Sequence, residues 1–226
     1  MIDFAKIDRL KQKLDSYRPL PQEVVKNLHD DLVLRLTYNS NAIEGSTLSL
    51  KETKVVLEGV TVGGKTLREH LEAVNHREAI LFIEELSRGA EPLTGHHVKL
   101  IHRLILQKID DNNAGTYRRV NVVISGAEHI PPDYTQVESE MERFISRCHE
   151  QADVLHPVER AAIIHSDFVK IHPFADGNGR TARLLMNLEL MKSGLPPVVL
   201  PVEKRLEYYE ALDRAHTKGD FSAFMA

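Results

Sequence analysis

His172-Pro173-Phe174-Ala175-Asp176-Gly177-Asn178-Gly179-Arg180-Thr181-Ala182-Arg183 reads as a turn set between two helical patterns. Before it, Val158 to Ile171 has helical periodicity; after it, Arg180 to Met191 places Leu184, Leu185 and Leu188 on one core stripe. A helix that begins at the turn puts Arg180 and Arg183, three residues apart, on one face. Backbone N–H groups freed by Gly177, Asn178 and Gly179 point outward at that helix N-terminus and make a seat for phosphate. The arginines add fixed positive charge, and Asp176 suits a divalent cation held against phosphate oxygens. His172, at the edge of this cradle, is placed to take a proton from an incoming hydroxyl. Together these parts point to transfer of a nucleotide phosphate to a hydroxyl.

Two other nucleotide patterns occur and fail on context. Gly177 to Ala182 fits a loose dinucleotide fingerprint, but that fold needs a strand before the turn and another after the helix. Here the flanks are helical and then Pro-rich. Gly59-Val60-Thr61-Val62-Gly63-Gly64-Lys65-Thr66 fits the Walker A pattern letter for letter. A capping box precedes it and no parallel sheet is available, so it reads as a connector between helices. The 12 histidines show no metal-ligand spacing of the zinc-protease type, and adjacent His96 and His97 face different ways on a helix. The cation implied is Mg²⁺, held mainly by substrate phosphates and Asp176.

Outward from the turn, the chain reads as helix after helix. Ala5 to Tyr17 stops before Pro19, and Gln22 to about Ile43 carries Val24, Val25, Leu28, Leu32 and Leu36 near a 3.6 period. Ser49-Leu50-Lys51-Glu52 opens a helix that ends near Gly59. Leu67 to Leu86 is the next, Thr94 caps one running to Ile109, and Asp133 caps one running to about His149. Pro157 sits well at the first position of the helix entering the turn, and Glu203 to His216 closes the set. Only Val120 to Ile124 prefers strand, with Ser125-Gly126 as a turn and a return through His129-Ile130. A simple loop crossover is the alternative there. The fold class expected is all-α, a helical bundle with one small β-hairpin.

Composition agrees with a compact enzyme. At 226 residues and 42% hydrophobic, the chain can bury one large core. A net charge of −4 gives no reason to expect direct nucleic-acid binding. No apolar run reaches membrane-spanning length, and the first residues are not a signal peptide. The single Cys148 suits a reducing compartment, so a cytoplasmic location is expected. The last residues, Phe224-Met225-Ala226, follow what reads as a helix start, which points to a further C-terminal element.

The segment His172 to Arg183 resembles the signature of the Fic family, His-Pro-Phe-x-Asp/Glu-Gly-Asn-Gly-Arg-x-x-Arg, at every specified position. Similarity continues in Gly115-Thr116-Tyr117-Arg118, in Ile130-Pro131-Pro132 and in Tyr208-Tyr209. It covers residues 37–226, which leaves 1–36 as an N-terminal helical extension. Members mostly transfer AMP from ATP to a Ser, Thr or Tyr hydroxyl of a target protein. The resemblance implies phosphates on the Gly177–Gly179 turn (Asn178 included), Asp176 on Mg²⁺, Arg180 on the β-phosphate and Arg183 on the γ-phosphate. It implies His172 as base, and an adenine pocket near Tyr208, Tyr209 and Leu212, with His216 where close relatives can have Asn. It makes residues 117–132 a flap over the active site, with Val122, Val123 and Ile124 aligning an extended target segment by β-augmentation. Ser125-Gly126-Ala127-Glu128 is a residue longer than the turn of some relatives. The partners implied are ATP and a target protein, with no membrane; a homodimer stays open.

Ser40-Asn41-Ala42-Ile43-Glu44-Gly45 places Ser40 and Glu44 one helical turn apart, before a glycine that ends helices. Locally this is an ordinary capped helix with an exposed glutamate. It also resembles the family's Ser/Thr-x-x-x-Glu-Gly/Asn inhibitory motif, in which the glutamate pairs with the second arginine of the signature. Ser40, Glu44 and Gly45 are then inhibitory residues acting on Arg183. Three other outcomes stay open: removal of AMP with Glu44 aligning water, transfer of another group, and a non-catalytic nucleotide sensor. Kinase-like relatives carry Lys where this chain has Gly179.

Overall fold

The computed structural model describes residues 2–152 and 154–225. Among these the chain forms α1 (Phe4–Asp15), α2 (Gln22–Ile43), α3 (Leu50–Leu57), α4 (Leu67–Arg88), α5 (Gly95–Leu106), α6 (Val137–Glu150), α7 (Pro157–Ile171), α8 (Asn178–Lys192) and α9 (Arg205–Lys218). Short 3-10 turns at Tyr134–Gln136 and Val202–Lys204 lead into α6 and α9. Local chemistry sets the starts. Ser49 and Thr66 each accept the third amide of their helix while Glu52 and Glu69 reach back to the cap, closing two capping boxes. Thr94 caps α5, and Pro157 stands in the first turn of α7.

The core is organised around α8. Its Ala182, Leu184, Leu185 and Leu188 are buried, packed with Phe168 of α7, Ile80 and Ile83 of α4, Ile101 and Ile105 of α5, and Val33, Leu36 and Ile43 of α2. α7 runs along α8, while α4, α5 and α2 cover its other sides. A helix enclosed this way buries polar positions as well as apolar ones. Arg180, Thr181, Arg183 and Asn187 are all inside. A small satellite cluster of Leu48, Val56 and Ala73 seats α3 on α4.

Several sequence expectations change. The hairpin expected over 120–130 does not form, and the described residues contain no strand. Gly126 still makes its turn, at φ +81°, with Ala127 N–H donating to Ile124 C=O at 3.2 Å. The β-branched stretch has nothing apolar to cover: Val123 is 82% exposed and Ile130 76%. Side chains shape the segment instead of a ladder. Arg118 donates to Val120 C=O at 3.0 Å and Pro132 C=O at 2.5 Å, Asn121 bonds Asp133 at 2.8 Å, and Asp213 accepts from Glu128 N–H at 2.9 Å. α5 stops at Leu106 rather than Ile109 because Lys108 turns to φ +62° and donates its N–H to Asp111. Residues 222–224 form a turn rather than a helix start. The Walker-like stretch is a connector, as its context requires. No helix among the described residues is long and apolar enough to cross a membrane.

Candidate active site

His172 ends α7 in the left-handed region, at φ +50° and ψ +59°. A non-glycine residue there costs about 1–2 kcal/mol, so its surroundings must hold it. His172 N–H donates to Phe168 C=O at 3.0 Å, and its own C=O accepts from Arg118 Nε at 2.8 Å. Arg118 N–H donates to Pro173 C=O at 2.9 Å, so one residue fastens the 120–133 segment to the loop that follows α7. His172 Nδ1 lies 3.3 Å from Val169 C=O. A carbonyl can only accept, so Nδ1 carries the hydrogen and Nε2 keeps its lone pair. Burial, aided by the Arg118 charge, pushes the imidazole down to about 4, so it is neutral near pH 7.

The turn after it is locked from beneath. Phe174 is fully buried and its ring stacks on His102 at 3.5 Å between centroids. Gly115 N–H donates to His102 Nδ1 at 2.9 Å, which makes Nε2 the protonated nitrogen, and Nε2–H donates to Asp176 C=O at 2.8 Å. Burial lowers His102 to about 4, so it stays neutral. Asn178 closes the turn with its side chain: Oδ1 accepts from Phe174 N–H at 3.0 Å and Nδ2 donates to Phe174 C=O at 2.8 Å. Both polar atoms of the Asn178 side chain are thus spent within the turn. Gly177, at φ +76°, leaves room for the His102 ring, which a Cβ would approach to 3.3 Å. Gly179 is glycine for another reason: a Cβ there would collide with Glu44 Oε1.

That collision locates Glu44. The residue caps α2, and its carboxylate lies over the N-terminus of α8, where the first amides lack intrahelical acceptors. Glu44 Oε1 accepts from Arg183 Nη2 at 2.7 Å. Arg183 is buried, and Ser40 holds it further: Nε donates to Ser40 Oγ and Nη2 to Ser40 C=O, both at 2.9 Å. Gly45 follows at φ +101° and turns the chain away from α2. Sequence spacing brought Ser40 and Glu44 onto one helix face; the fold brings both to Arg183.

Arg180 is buried too, with Nη1 3.2 Å from Glu72 and Nη2 3.5 Å from Asp176. Asp176 Oδ1 accepts from Gly177 N–H and Oδ2 from Arg68, each at 2.6 Å. Burial alone would raise the Asp176 carboxyl, but Arg180, the Gly177 amide and Arg68 outweigh it and hold it below the usual carboxylate range. No cluster of three or more metal-binding side chains exists among the described residues. A lone ionised carboxylate beside a phosphate seat fits a cation that takes its other oxygens from phosphate and water, as Mg²⁺ does.

The expected adenine pocket is only partly at the surface. Tyr208 and Leu212 belong to the core, and Tyr208 Oη meets His165 Nε2 at 3.1 Å and Arg183 at 3.4 Å. Burial lifts the Tyr208 phenol to about 12, so it supports Arg183 as a neutral group. Tyr209 is 39% exposed and donates to Ile43 C=O at 3.2 Å, tying α9 to the end of α2. His216 bonds Ser166 C=O at 2.9 Å. Val122 and Ile124 are partly covered while Val123 faces outward. Sequence reasoning gave no role to Arg68, Glu72, His102 or Arg118. Arg68 and Glu72 were visible as an i,i+4 pair, but nothing local pointed to their partners.

Against known proteins, residues 92–190 match the family model described as "Fic/DOC family". The chain is 36% identical over 229 residues to "Protein adenylyltransferase Fic" of Nematostella vectensis, covering 99% of this chain and 53% of that one. It is 40% identical over 192 residues to "Protein adenylyltransferase fic-1" of Caenorhabditis elegans, covering 83% and 37%. The chain thus spans about half the length, or less, of these curated relatives. A crystal structure of a Fic domain containing signaling protein from Bacteroides thetaiotaomicron superimposes with a TM-score of 0.88 at 31% identity, over 97% of this chain and 84% of that one.

Proposed function

This chain belongs to the Fic/DOC family, and from that premise we propose that it is an autoinhibited protein adenylyltransferase. It would move AMP from Mg²⁺-ATP to a Ser, Thr or Tyr hydroxyl of a target protein. The observation that carries this reading is the meeting of three groups at one helix end. A neutral His172 with Nε2 unprotonated, the first amides of α8 without intrahelical acceptors, and Arg183 already engaged by a carboxylate stand together. Residues 37–226 form the catalytic unit in this reading and 1–36 an extension, with α2 running from one into the other.

In the transfer step, the α8 amides and Arg180 orient the phosphates. His172 Nε2 takes the proton as the target oxygen bonds to the α-phosphorus, and the bond from that phosphorus to the bridging oxygen breaks to release pyrophosphate. Asp176 would hold Mg²⁺, which would supply charge neutralisation at the phosphate oxygens. The rate comes mainly from positioning and charge neutralisation. The 120–133 segment, fastened through Arg118, is the flap that receives an extended target strand. Val122, Val123 and Ile124 would gain there the pairing that they lack alone. Glu44 blocks the sequence at its start, because the γ-phosphate needs the arginine and the helix end that its carboxylate covers. The single buried Cys148, with no disulfide to make, suits a reducing compartment such as the cytoplasm.

A second reading, removal of AMP from a modified target, is favoured by one detail: Glu44 engages Arg183 through Oε1 only, which leaves Oε2 to align a water. Auto-modification with α-labelled ATP tests the main reading. Glu44→Gly should label about tenfold or more above wild type, since breaking a part-buried pair at a helix end releases Arg183. Adding His172→Ala to Glu44→Gly should return labelling to background, a loss of about 10²–10⁴. Equal labelling of wild type and Glu44→Gly would sink the inhibitory assignment. AMP release from a pre-modified target by wild type, lost in Glu44→Gly, would favour the second reading.

A further inference from the structure

Four charged side chains close a ring beside the phosphate turn. Arg68 Nη2 donates to Asp176 Oδ2 at 2.6 Å, and Arg68 Nε donates to Glu72 Oε1 at 3.0 Å. Arg180 completes it, with Nη1 3.2 Å from the same Glu72 oxygen and Nη2 3.5 Å from Asp176 Oδ1. The inner members are enclosed, Arg180 at 2% side-chain exposure and Glu72 at 13%. The outer pair is open, Arg68 at 54% and Asp176 at 50%. The inner half of the ring is therefore fixed by packing, whereas the outer half is an exposed ion pair, which exchanges at little cost.

Resting on the reading of Asp176 as the metal seat, we propose that Arg68 is the resident cation of that carboxylate. It holds Asp176 until a metal-bound nucleotide displaces it, and so sets how much divalent cation the site requires. Asp176 Oδ1 already accepts from the Gly177 amide at 2.6 Å and lies 3.5 Å from Arg180 Nη2, on the inner side of the ring. Oδ2 is therefore the oxygen nearer to an incoming metal, and Arg68 sits on it. A guanidinium and a divalent ion on one oxygen would repel strongly at such separation. The two guanidiniums of the ring offset its two carboxylates, so the pull of Asp176 on an arriving dication is weakened until Arg68 swings off. Glu72 keeps hold of the displaced side chain, which stays beside the phosphates as a positioning residue rather than leaving the site.

Mn²⁺ is a suitable probe, because free Mn²⁺ is read directly by electron paramagnetic resonance without turnover. The whole chain would be titrated with Mn²⁺, alone and with the α,β-methylene analogue of ATP. Arg68→Ala and Arg68→Gln should each bind Mn²⁺ about threefold to tenfold tighter than wild type, the range an exposed competing pair allows. Arg68→Lys keeps the charge and should stay within about twofold of wild type. In the Asp176→Asn background, removing Arg68 should change nothing. All three Arg68 substitutions sit at an exposed helical position that tolerates them, and circular dichroism checks the fold. Unchanged or weaker Mn²⁺ binding in both Arg68 variants, with Asp176→Asn still lowering it, would overturn the competitor and leave Asp176 as the seat. Mn²⁺ binding indifferent to Asp176→Asn would overturn both.

Discussion

At the scale of single residues, one side chain holds the turn between α7 and α8 in shape from beneath. His102 lies fully buried under the loop, accepts from Gly115, donates to the Asp176 carbonyl and stacks on Phe174. Phenylalanine in its place keeps the stack and strands one part-buried donor and one part-buried acceptor, each worth up to about 1–3 kcal/mol when unpaired. His102→Phe should therefore lower unfolding stability by about 2–4 kcal/mol in a urea titration. In the Glu44→Gly background it should also cut AMP transfer, because Asp176 and the α8 amides lose their common support. Glutamine can both accept and donate, so His102→Gln should recover part of each loss. A stability change within experimental scatter for His102→Phe would mean that the turn is held by Asn178 and Arg118 alone.

At the scale of elements, the end of α2 is held by the start of α4. Glu69 Oε2 closes the Thr66 capping box, while its Oε1 accepts from Thr47 N–H at 2.8 Å and Thr47 Oγ1 at 2.6 Å. Lys65, the lysine of the Walker-like stretch, donates to Thr47 C=O at 2.6 Å. The hydrogen bonds from Thr47, then from Thr66, hold the Glu69 carboxyl near 2. Thr47 stands three residues after Glu44, so this latch fixes the approach of the Glu44 carboxylate to Arg183. Glu69→Ala should cost about 1–2 kcal/mol, the range of a lost helix cap, measurable by thermal unfolding. It should also raise auto-labelling above wild type, by less than Glu44→Gly does. Labelling unchanged from wild type would show that packing of α2 alone positions Glu44. The capping boxes were legible because a cap is written within four residues. The absent hairpin was not, because a strand pair depends on the surface that it covers.

At the scale of the whole molecule, neutral buried histidines tie the fold to pH. Burial is the first cause in each case: His76 is lowered to about 3, His102, His172 and His216 to about 4, and His165 well below its ordinary value. The unfolded chain takes up these protons near pH 6.5 and the folded one does not, so folding binds fewer protons. Stability is thus complete above about pH 6.5 and is lost as pH falls toward 4, by about 1.4 kcal/mol per pH unit for each histidine left unprotonated. Glu69 and Asp133, both held near 2, lose their contribution only below the ordinary carboxylate range, so two acid windows should separate. Urea titrations at stepped pH read this directly, and a slope below about one proton between pH 6 and 5 would contradict it. What the sequence by itself determined was local. Periodicity marked the helices, caps marked their starts, and the twelve residues from His172 to Arg183 marked a glycine turn between two helices with a histidine before it and two arginines after it. Only the tertiary structure decided the pairings: Arg68 with Asp176 across 108 residues, Arg183 with Glu44 across 139 and with Ser40 across 143. It also turned Tyr208 and Leu212 inward and left Val120 to Ile124 without a ladder. The physical reason is range. Helix propensity, capping and amphipathic spacing act over about four residues, whereas an ion pair between helices exists only once packing has set their distance.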